Sequence, residues 1–301
     1  MATLKNWISA FRLRTLFLAV ATVILGSGLA FHDGHVSLAT FILAFLLAVA
    51  IQILANLAND LGDFQKGTDT TGHRQGPTRA VQGGKISPKQ MKGAIGTFSI
   101  ICIVTGLSLV FNAIAHISQA SAVILVGAGA ASILAAIFYT LGKRAYGYKG
   151  WGDLFAFFFF RPVPVIGTYF LHTRAFSFQP VLPAIGMGII STLILNINNM
   201  RDIDNDRASG KFTVAVTLGL NRARMYHAIL TIASFLCFLG YNRLYEPSPW
   251  YRYLYLLVFL FLFNILTNVY RKSGKALDPY LRLTSLSGFF IALLFSVCIN
   301  G

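Results

Sequence analysis

Long apolar runs, broken at near-regular intervals by short polar stretches, dominate the chain. A run of about twenty apolar residues is what a helix needs to cross the hydrocarbon of a bilayer. The pattern predicts nine such spans, near residues 15–32, 37–58, 93–111, 119–140, 152–171, 181–199, 225–242, 250–269 and 282–299. Glycine and proline inside several of them are compatible with membrane helices. Two polar stretches are longer than a turn. One covers about 61–92 and is rich in Gly and Pro; the other covers about 201–224. Loops of that length inside a compact bundle usually carry function. The expectation is an all-α integral membrane protein forming a single domain over residues 1–301.

Composition sharpens this reading. Hydrophobic residues make up 55% and charged residues 12% of the chain, with a mean hydropathy of +0.65. Soluble domains carry roughly 25% charged residues, so a soluble fold is excluded. The formal net charge of +15 raises the question of nucleic acid. Its distribution answers it, because all but four of the 25 Lys and Arg residues (Arg161, Arg174, Arg243 and Arg252) fall at the N-terminus or in alternate loops. By the positive-inside rule the N-terminus is expected in the cytoplasm and the C-terminus outside. All ten acidic residues except Asp33 and Glu246 fall on that same side. Lys89, Lys92, Lys272 and Lys275 are explained by topology and attraction to anionic headgroups. Cys102, Cys237 and Cys298 lie in apolar runs without CxxC spacing and read as inert thiols. No convincing cleavage site follows the first apolar run, which is expected to remain as a span.

The chemistry sits at the ends of two spans. Asn56-Leu-Ala-Asn59-Asp60-Leu-Gly-Asp63 closes the second apolar run, and Asn198-Asn199-Met-Arg201-Asp202-Ile-Asp204-Asn205-Asp206 closes the sixth. On a helix, Asn56, Asn59, Asp60 and Asp63 fall at i, i+3, i+4 and i+7 and share one face. Asn198, Asp202 and Asp206 share another, with Asn199 beside Asp202. A carboxylate at the end of a lipid-buried helix is costly and calls for a partner. Hard oxygen ligands without His or Cys select Mg²⁺ or Ca²⁺ over zinc, and two opposed carboxylate clusters suit a diphosphate bridged through Mg²⁺. Arg79, Lys85, Lys143, Arg144, Arg201, Arg207 and Lys211 fall on the same side and are candidates for holding phosphate oxygens. Each cluster is followed by a similar segment, Gly76-Pro-Thr-Arg-Ala-Val81 and Gly210-Lys-Phe-Thr-Val-Ala-Val216. This weak internal repeat predicts two loops side by side. Asp69 and Asp204 read equally as ligands or as solvated acids, and His73 is expected in solvent. His32, His35, His116 and His172 belong to the far face.

These motifs resemble those of the UbiA superfamily of intramembrane aromatic prenyltransferases. The resemblance covers nearly the whole chain and rests on residues 56–69, 76–87 and 198–207, with Gly210-Lys211 and Gly167-Thr-Tyr169. Within the superfamily, the spelling Asn198-Asn-Met-Arg-Asp202 is most similar to the branch whose acceptor is a dihydroxynaphthoate. The resemblance implies a nine-helix bundle, N-terminus cytoplasmic, with a central cavity open to lipid in a bacterial cytoplasmic membrane. It implies Mg²⁺-dependent transfer of a polyprenyl chain from its diphosphate to an aromatic ring. Asn56, Asp60, Asp63, Asp202 and Asp206 would then bind Mg²⁺ and diphosphate. Lys143 and Arg144, after Tyr139, stand where the family carries a basic diphosphate contact, and Arg14 is a further candidate. Two departures stand out. Leu13 and Phe17 replace expected prolines, and Arg161 replaces an expected glycine. An arginine inside a span faces a cavity, an anionic group or an acid, or else snorkels along its helix.

The expected mechanism is ionisation of the allylic diphosphate to a carbocation sheltered from water by the apolar bundle. Tyr139, Phe155 and Phe158 are candidates to stabilise the cation through their π faces. The ring captures it, and in this branch the ring carboxylate leaves as CO₂ while the tail exits sideways into lipid. Acceptors such as 4-hydroxybenzoate, homogentisate or haem are the alternatives within the same fold. A secondary transporter or a lipid-binding scaffold are the alternatives outside it.

Overall fold

The apolar runs are realised as helices throughout. The computed structural model describes residues 2–301, and among them nine helical stretches are long and apolar enough to cross a membrane. An amphipathic helix α1 (Leu4–Phe11) leads through a left-handed hinge at Arg12 (φ 51°) and a 3₁₀ turn into α2 (Leu16–His32). Then come α3 (Leu38–Gln65), α4 (Pro88–Ala113), α5 (Gln119–Phe138), α6 (Gly152–Phe160), α7 (Pro162–Thr173) and α8 (Val181–Arg201). Two short helices, α9 (Ile203–Ala208) and α10 (Val214–Leu218), precede α11 (Leu220–Tyr245), α12 (Phe259–Arg271) and α13 (Asp278–Asn300).

The helices outlast the apolar runs that predict them. α3 continues to Gln65, so Asn56 to Asp63 is helical and the loop begins at Lys66, not near 61. Asn56, Asp60 and Asp63 are buried against other parts of the protein, which lets a polar helix face persist beyond the hydrocarbon. The stretch predicted as a loop over 201–224 is mostly helical, holding α9, α10 and the start of α11. The fifth span is two helices rather than one. Pro162 occupies the first turn of α7, lacks an amide hydrogen, and cannot continue the hydrogen-bond ladder of α6. The eighth span opens as a 3₁₀ segment, Trp250–Val258, before α12.

The bundle closes on itself where α2 meets α13. A methyl group added to Gly28 would lie 2.2 Å from Ser296 Oγ, and one added to Gly288 would lie 2.5 Å from Leu18 Cδ1. This close approach lets polar groups bond across the seam. Ser296 donates to the Ile24 carbonyl (3.2 Å), Asn300 to that of Gly28 (3.0 Å) and Ser285 to that of Arg14 (3.2 Å). Such small-residue, hydrogen-bonded contacts are how helices associate where no hydrophobic force distinguishes protein from lipid. Beside a small cluster around Val23, Leu109 and Leu171, two larger apolar cores result among the described residues. One gathers α2, α7, α8 and α11–α13 around Leu25, Met187, Phe238 and Phe295; the other gathers α3–α5 around Leu54, Leu57 and Met91. The chemistry lies between them.

Replacing Gly28 with alanine should destabilise the protein by about 1–3 kcal/mol, the usual range for overpacking. Gly96→Ala, at a lipid-facing site with no atom within 4 Å of the new methyl, should cause no loss. Thermal unfolding in detergent distinguishes the two.

Candidate active site

A cavity of about 530 Å³ opens at the basic end of the bundle, between the two cores. Its size lies within the range of small-molecule sites. Eight cationic side chains line it (Arg12, Arg14, Arg74, Arg79, Arg161, Arg201, Lys211 and Arg282), against two acids, Asp60 and Asp63. A wall so unbalanced suits a polyanion. A larger groove of about 900 Å³ at the opposite end, between α3, α4 and α5, is walled by residues such as Leu43, Phe111 and Val123 and carries no charged side chain. The charged cavity, not that groove, has the means for chemistry.

The last two turns of α3 supply the first acids. Asp60 accepts from the amides of Ala80 (3.0 Å) and Val81 (3.2 Å), so the 66–87 loop folds back onto its own helix. Asp63 accepts from Tyr148 Oη (2.5 Å) and pairs with Arg79 (2.5 Å). Tyr148 spends its proton on Asp63, so the Thr68 hydroxyl donates to it in turn (2.5 Å). Arg79 also donates to the Asn59 carbonyl (2.5 Å) and stands 3.5 Å from Asp69, which a second arginine, Arg74, holds as well. Asn56 donates to the Phe11 carbonyl (2.9 Å) and Thr15 (2.8 Å), fixing the hinge that brings Arg12 into the cavity. Close packing permits this arrangement. A methyl group on Gly62 would meet Thr140 Oγ1 at 2.5 Å.

The end of α8 supplies the second set. Arg201 forks to Asp202 (2.6 Å), Asp278 (2.6 Å) and the Asn198 side-chain oxygen (2.9 Å). Asp206 pairs loosely with Lys211 (3.8 Å). The two loops lie side by side, as the repeat predicts: Gln75 donates its amide to Asp202 (3.2 Å), and Thr71 bonds Asn205. The symmetry stops there. Asp60 caps the amides of its Ala-Val pair, whereas Val216 is capped by Thr213 and not by Asp202. Tyr148 joins the halves, its ring under Lys66 (4.9 Å) and Lys211 (5.4 Å) and its carbonyl accepting from Phe212 (3.1 Å).

Burial sets the charge states. It pushes Asp206 up to about 6, with Lys211 opposing. Asp69 is likewise raised by burial against the pull of Arg79 and Arg74. At Asp202 the same desolvation is outweighed by the Arg201 hydrogen bonds, and the pKa falls. Burial would strip Lys211 of its proton, but Asp63 and Asp206 more than compensate and hold it charged.

Among the described residues the buried carboxylate oxygens without a hydrogen-bond partner are Asp69 Oδ2, Asp153 Oδ2 and Asp206 Oδ2, and of these Asp69 and Asp206 belong to the two loops of the site. Free hard oxygens on both sides of the site are donors for Mg²⁺. No group of three metal-ligating residues is assembled among the described residues. That combination fits an ion that keeps water and phosphate oxygens in its shell, as Mg²⁺ does, rather than an all-protein cage.

Other candidates fall differently. Arg201 and Asn198 line the cavity with Arg14, which faces Asp278 at 3.8 Å. Lys85, Lys143 and Arg144 are exposed and stand outside the wall. Positive-φ turns at Gly84 and Gly142 direct the segments that carry them outward. Arg207 and Asp204 are also exposed. Asn59 faces Thr140 (3.2 Å), and Asn199 is buried away from the cavity with its side-chain oxygen unpaired. Of the aromatic candidates only Tyr139 lines the cavity, joined by Phe160; Phe155 stacks on Tyr146 behind it, and Phe158 is exposed. Arg12, Arg74 and Tyr148 join the site without having been singled out. Arg12 is signalled only by its place two residues before Arg14, and Tyr148 by nothing in the local sequence.

Residues 19–294 match the UbiA prenyltransferase family. A 1,4-dihydroxy-2-naphthoate octaprenyltransferase of Haemophilus influenzae is 38% identical over 98% of this chain and 95% of its own length. The enzyme of the same name from Escherichia coli K12 is 39% identical over 97% and 94%. Among solved structures, the apo form of a UbiA homolog from Aeropyrum pernix K1 superposes with a TM-score of 0.71 at 14% identity, over 94% of this chain and 97% of that one. A UbiA homolog from Archaeoglobus fulgidus bound to GPP and Mg²⁺ gives 0.62 at 13% identity, over 97% and 99%.

The Asp206 pKa of about 6 fixes a pH dependence. Because it lies above the value of a free aspartate, about 4, the stability this carboxyl contributes is present below about pH 4. It is lost as pH rises through 6. A divalent cation binds the ionised form, so millimolar Mg²⁺ should raise the thermal midpoint more at about pH 8 than at about pH 5. Asp206→Asn should flatten that difference. A Mg²⁺ effect independent of pH contradicts the assignment.

Proposed function

The chain belongs to the UbiA prenyltransferase family, and from that premise we propose that it transfers a polyprenyl chain from its diphosphate to 1,4-dihydroxy-2-naphthoate. The reaction releases diphosphate and CO₂ and gives demethylmenaquinone. The observation that carries this reading is the cavity itself, where the acidic end of α3 faces a wall of eight cationic side chains and the end of α8 contributes Asn198 and Arg201. The naphthoate acceptor is supported by the names of relatives nearly 40% identical over almost the full chain. The Mg²⁺ requirement is supported by the solved homolog that holds GPP with that ion.

In this reading Asp60, Asp63, Asp202 and Asp206, with Asn56, hold Mg²⁺. The bound ion supplies neutralisation of the charge that develops on the diphosphate as its bond to the allylic carbon breaks. Arg79, Arg74, Arg12 and Lys211 take the phosphate oxygens, the arginines by forked pairs and the lysine as a point charge. The electron pair of the broken bond leaves with the diphosphate, and the allylic carbon is left cationic. Tyr139 and Phe160 turn ring faces or edges into the cavity, and its apolar residues, Leu18, Ile194 and Leu195, keep water from the cation. The electron-rich ring then forms the new carbon–carbon bond. The cationic excess supports the reading that the basic end faces the cytoplasm of a bacterial inner membrane.

The test is purified protein in lipid nanodiscs with Mg²⁺, a polyprenyl diphosphate and either dihydroxynaphthoate or 4-hydroxybenzoate, read by product mass. Prenylated naphthoquinol without the carboxylate is expected, and product from hydroxybenzoate alone would overturn the acceptor. Asp60→Ala and Asp202→Ala should each cost more than the roughly hundredfold that loss of a metal's supporting residue costs. Both variants should still insert with wild-type helix content.

A further inference from the structure

Arg161 sits at the break between α6 and α7, only 4% exposed, and its side chain lines the cavity. Its polar contact within the protein is one bond to the neighbouring Phe160 carbonyl, and Nε has no partner. Among the described residues the acids are paired with Arg14, His32, Arg74, Arg79, Arg201, Lys211 and Arg252, never with Arg161. A guanidinium offers five N–H donors in a planar fork. One buried in a membrane protein without an acid beside it is held for an anion that comes from outside the fold.

Its depth separates that anion from the diphosphate. α6 descends nine residues from Gly152 before reaching Arg161, roughly 14 Å at the helical rise. Pro162 packs against Gly188, where an added methyl would lie 3.1 Å from its ring. Arg161 is therefore abreast of the Gly188–Ser191 turn of α8, more than two turns below Asp202. Between the two levels the wall is Tyr139, Phe160, Ile194 and Leu195, a slot for a flat apolar body.

We propose that Arg161 is the carboxylate-binding residue of the aromatic acceptor, holding the ring acid by a forked ion pair at the deep end of the cavity. The ring then lies in the aromatic slot and meets the allylic carbon at its carboxyl-bearing edge, where the electrons of the broken C–CO₂ bond restore the aromatic ring as CO₂ leaves. This rests on the proposed prenyl transfer and names which part of the cavity recognises an aromatic acid.

The test compares dihydroxynaphthoate with 1,4-dihydroxynaphthalene, the same ring diol without the carboxylate, in wild-type protein and in Arg161→Gln and Arg161→Lys. Arg161→Gln should raise KM for the acid at least tenfold, the loss of one charge-assisted interaction. KM for the polyprenyl diphosphate and kinetics with the diol should change less than twofold. Arg161→Lys should recover part of the loss. An equal shift for acid and diol, a shift in the diphosphate KM instead, or no shift overturns the proposal. Should the variants fail to fold, the wild-type protein alone decides: the acid must bind at least tenfold more tightly than the diol. If wild-type protein makes no product from dihydroxynaphthoate, the acceptor reading fails separately. The pair 4-hydroxybenzoate and phenol then tests Arg161 by the same criteria.

Discussion

A carboxylate buried at the end of a membrane helix must be neutralised, and that constraint shapes the whole basic end of this protein. Asp60 and Asp63 are each about 1% exposed. Leaving such a charge without a partner costs several kcal/mol. The 66–87 loop answers by folding back to offer the Ala80 and Val81 amides and the Arg79 fork. The loop after α5 answers with Tyr148, and the region after α8 with Lys211. Loops distant in sequence are thus drawn into one roof because the acids beneath them need donors.

The same compensation prepares the site for the proposed chemistry. Asp60, Asp63 and Asp202 are tightly held by a base or by backbone amides, while the bases outnumber the acids on the cavity wall. A diphosphate arriving with Mg²⁺ offers each party a substitute, phosphate oxygens for the arginines and a cation for the aspartates. Charge compensation is conserved through the exchange, so binding need not unfold the roof. Asp206, held up to about 6 by burial and only loosely paired, is the acid most readily given to a cation. The cavity's place between two apolar cores puts Tyr139, Phe160 and aliphatic side chains on its wall, the apolar surroundings the proposed reaction calls for.

Much of this was legible in the chain. Nine spans follow from hydropathy because lipid punishes any unsatisfied backbone, leaving helices as the available solution. The shared face of Asn56, Asp60 and Asp63 follows from helical periodicity, and the juxtaposition of the two loops from their similar spelling. What sequence spacing hid was set by backbone direction. Gly84 and Gly142 turn Lys85, Lys143 and Arg144 away, and the hinge at Arg12 brings that residue into the wall together with Arg14. Tyr148 was invisible because its role depends on a chain reversal that brings residues 63, 148 and 211 together. Arg161 announced itself as a charge inside a span, but only the structure shows that no acid among the described residues meets it.

The central claim is that the two acidic helix ends, 142 residues apart from Asp60 to Asp202 in sequence, form one site. A double-mutant cycle on binding of unreactive farnesyl thiodiphosphate with Mg²⁺ tests it most directly, using Asp60→Ala, Asp202→Ala and both together. If the ends share one bound diphosphate, the losses are strongly non-additive and the double variant binds little worse than the weaker single one. Losses that simply multiply, or unchanged binding when either motif is removed, would show two independent sites and contradict the account.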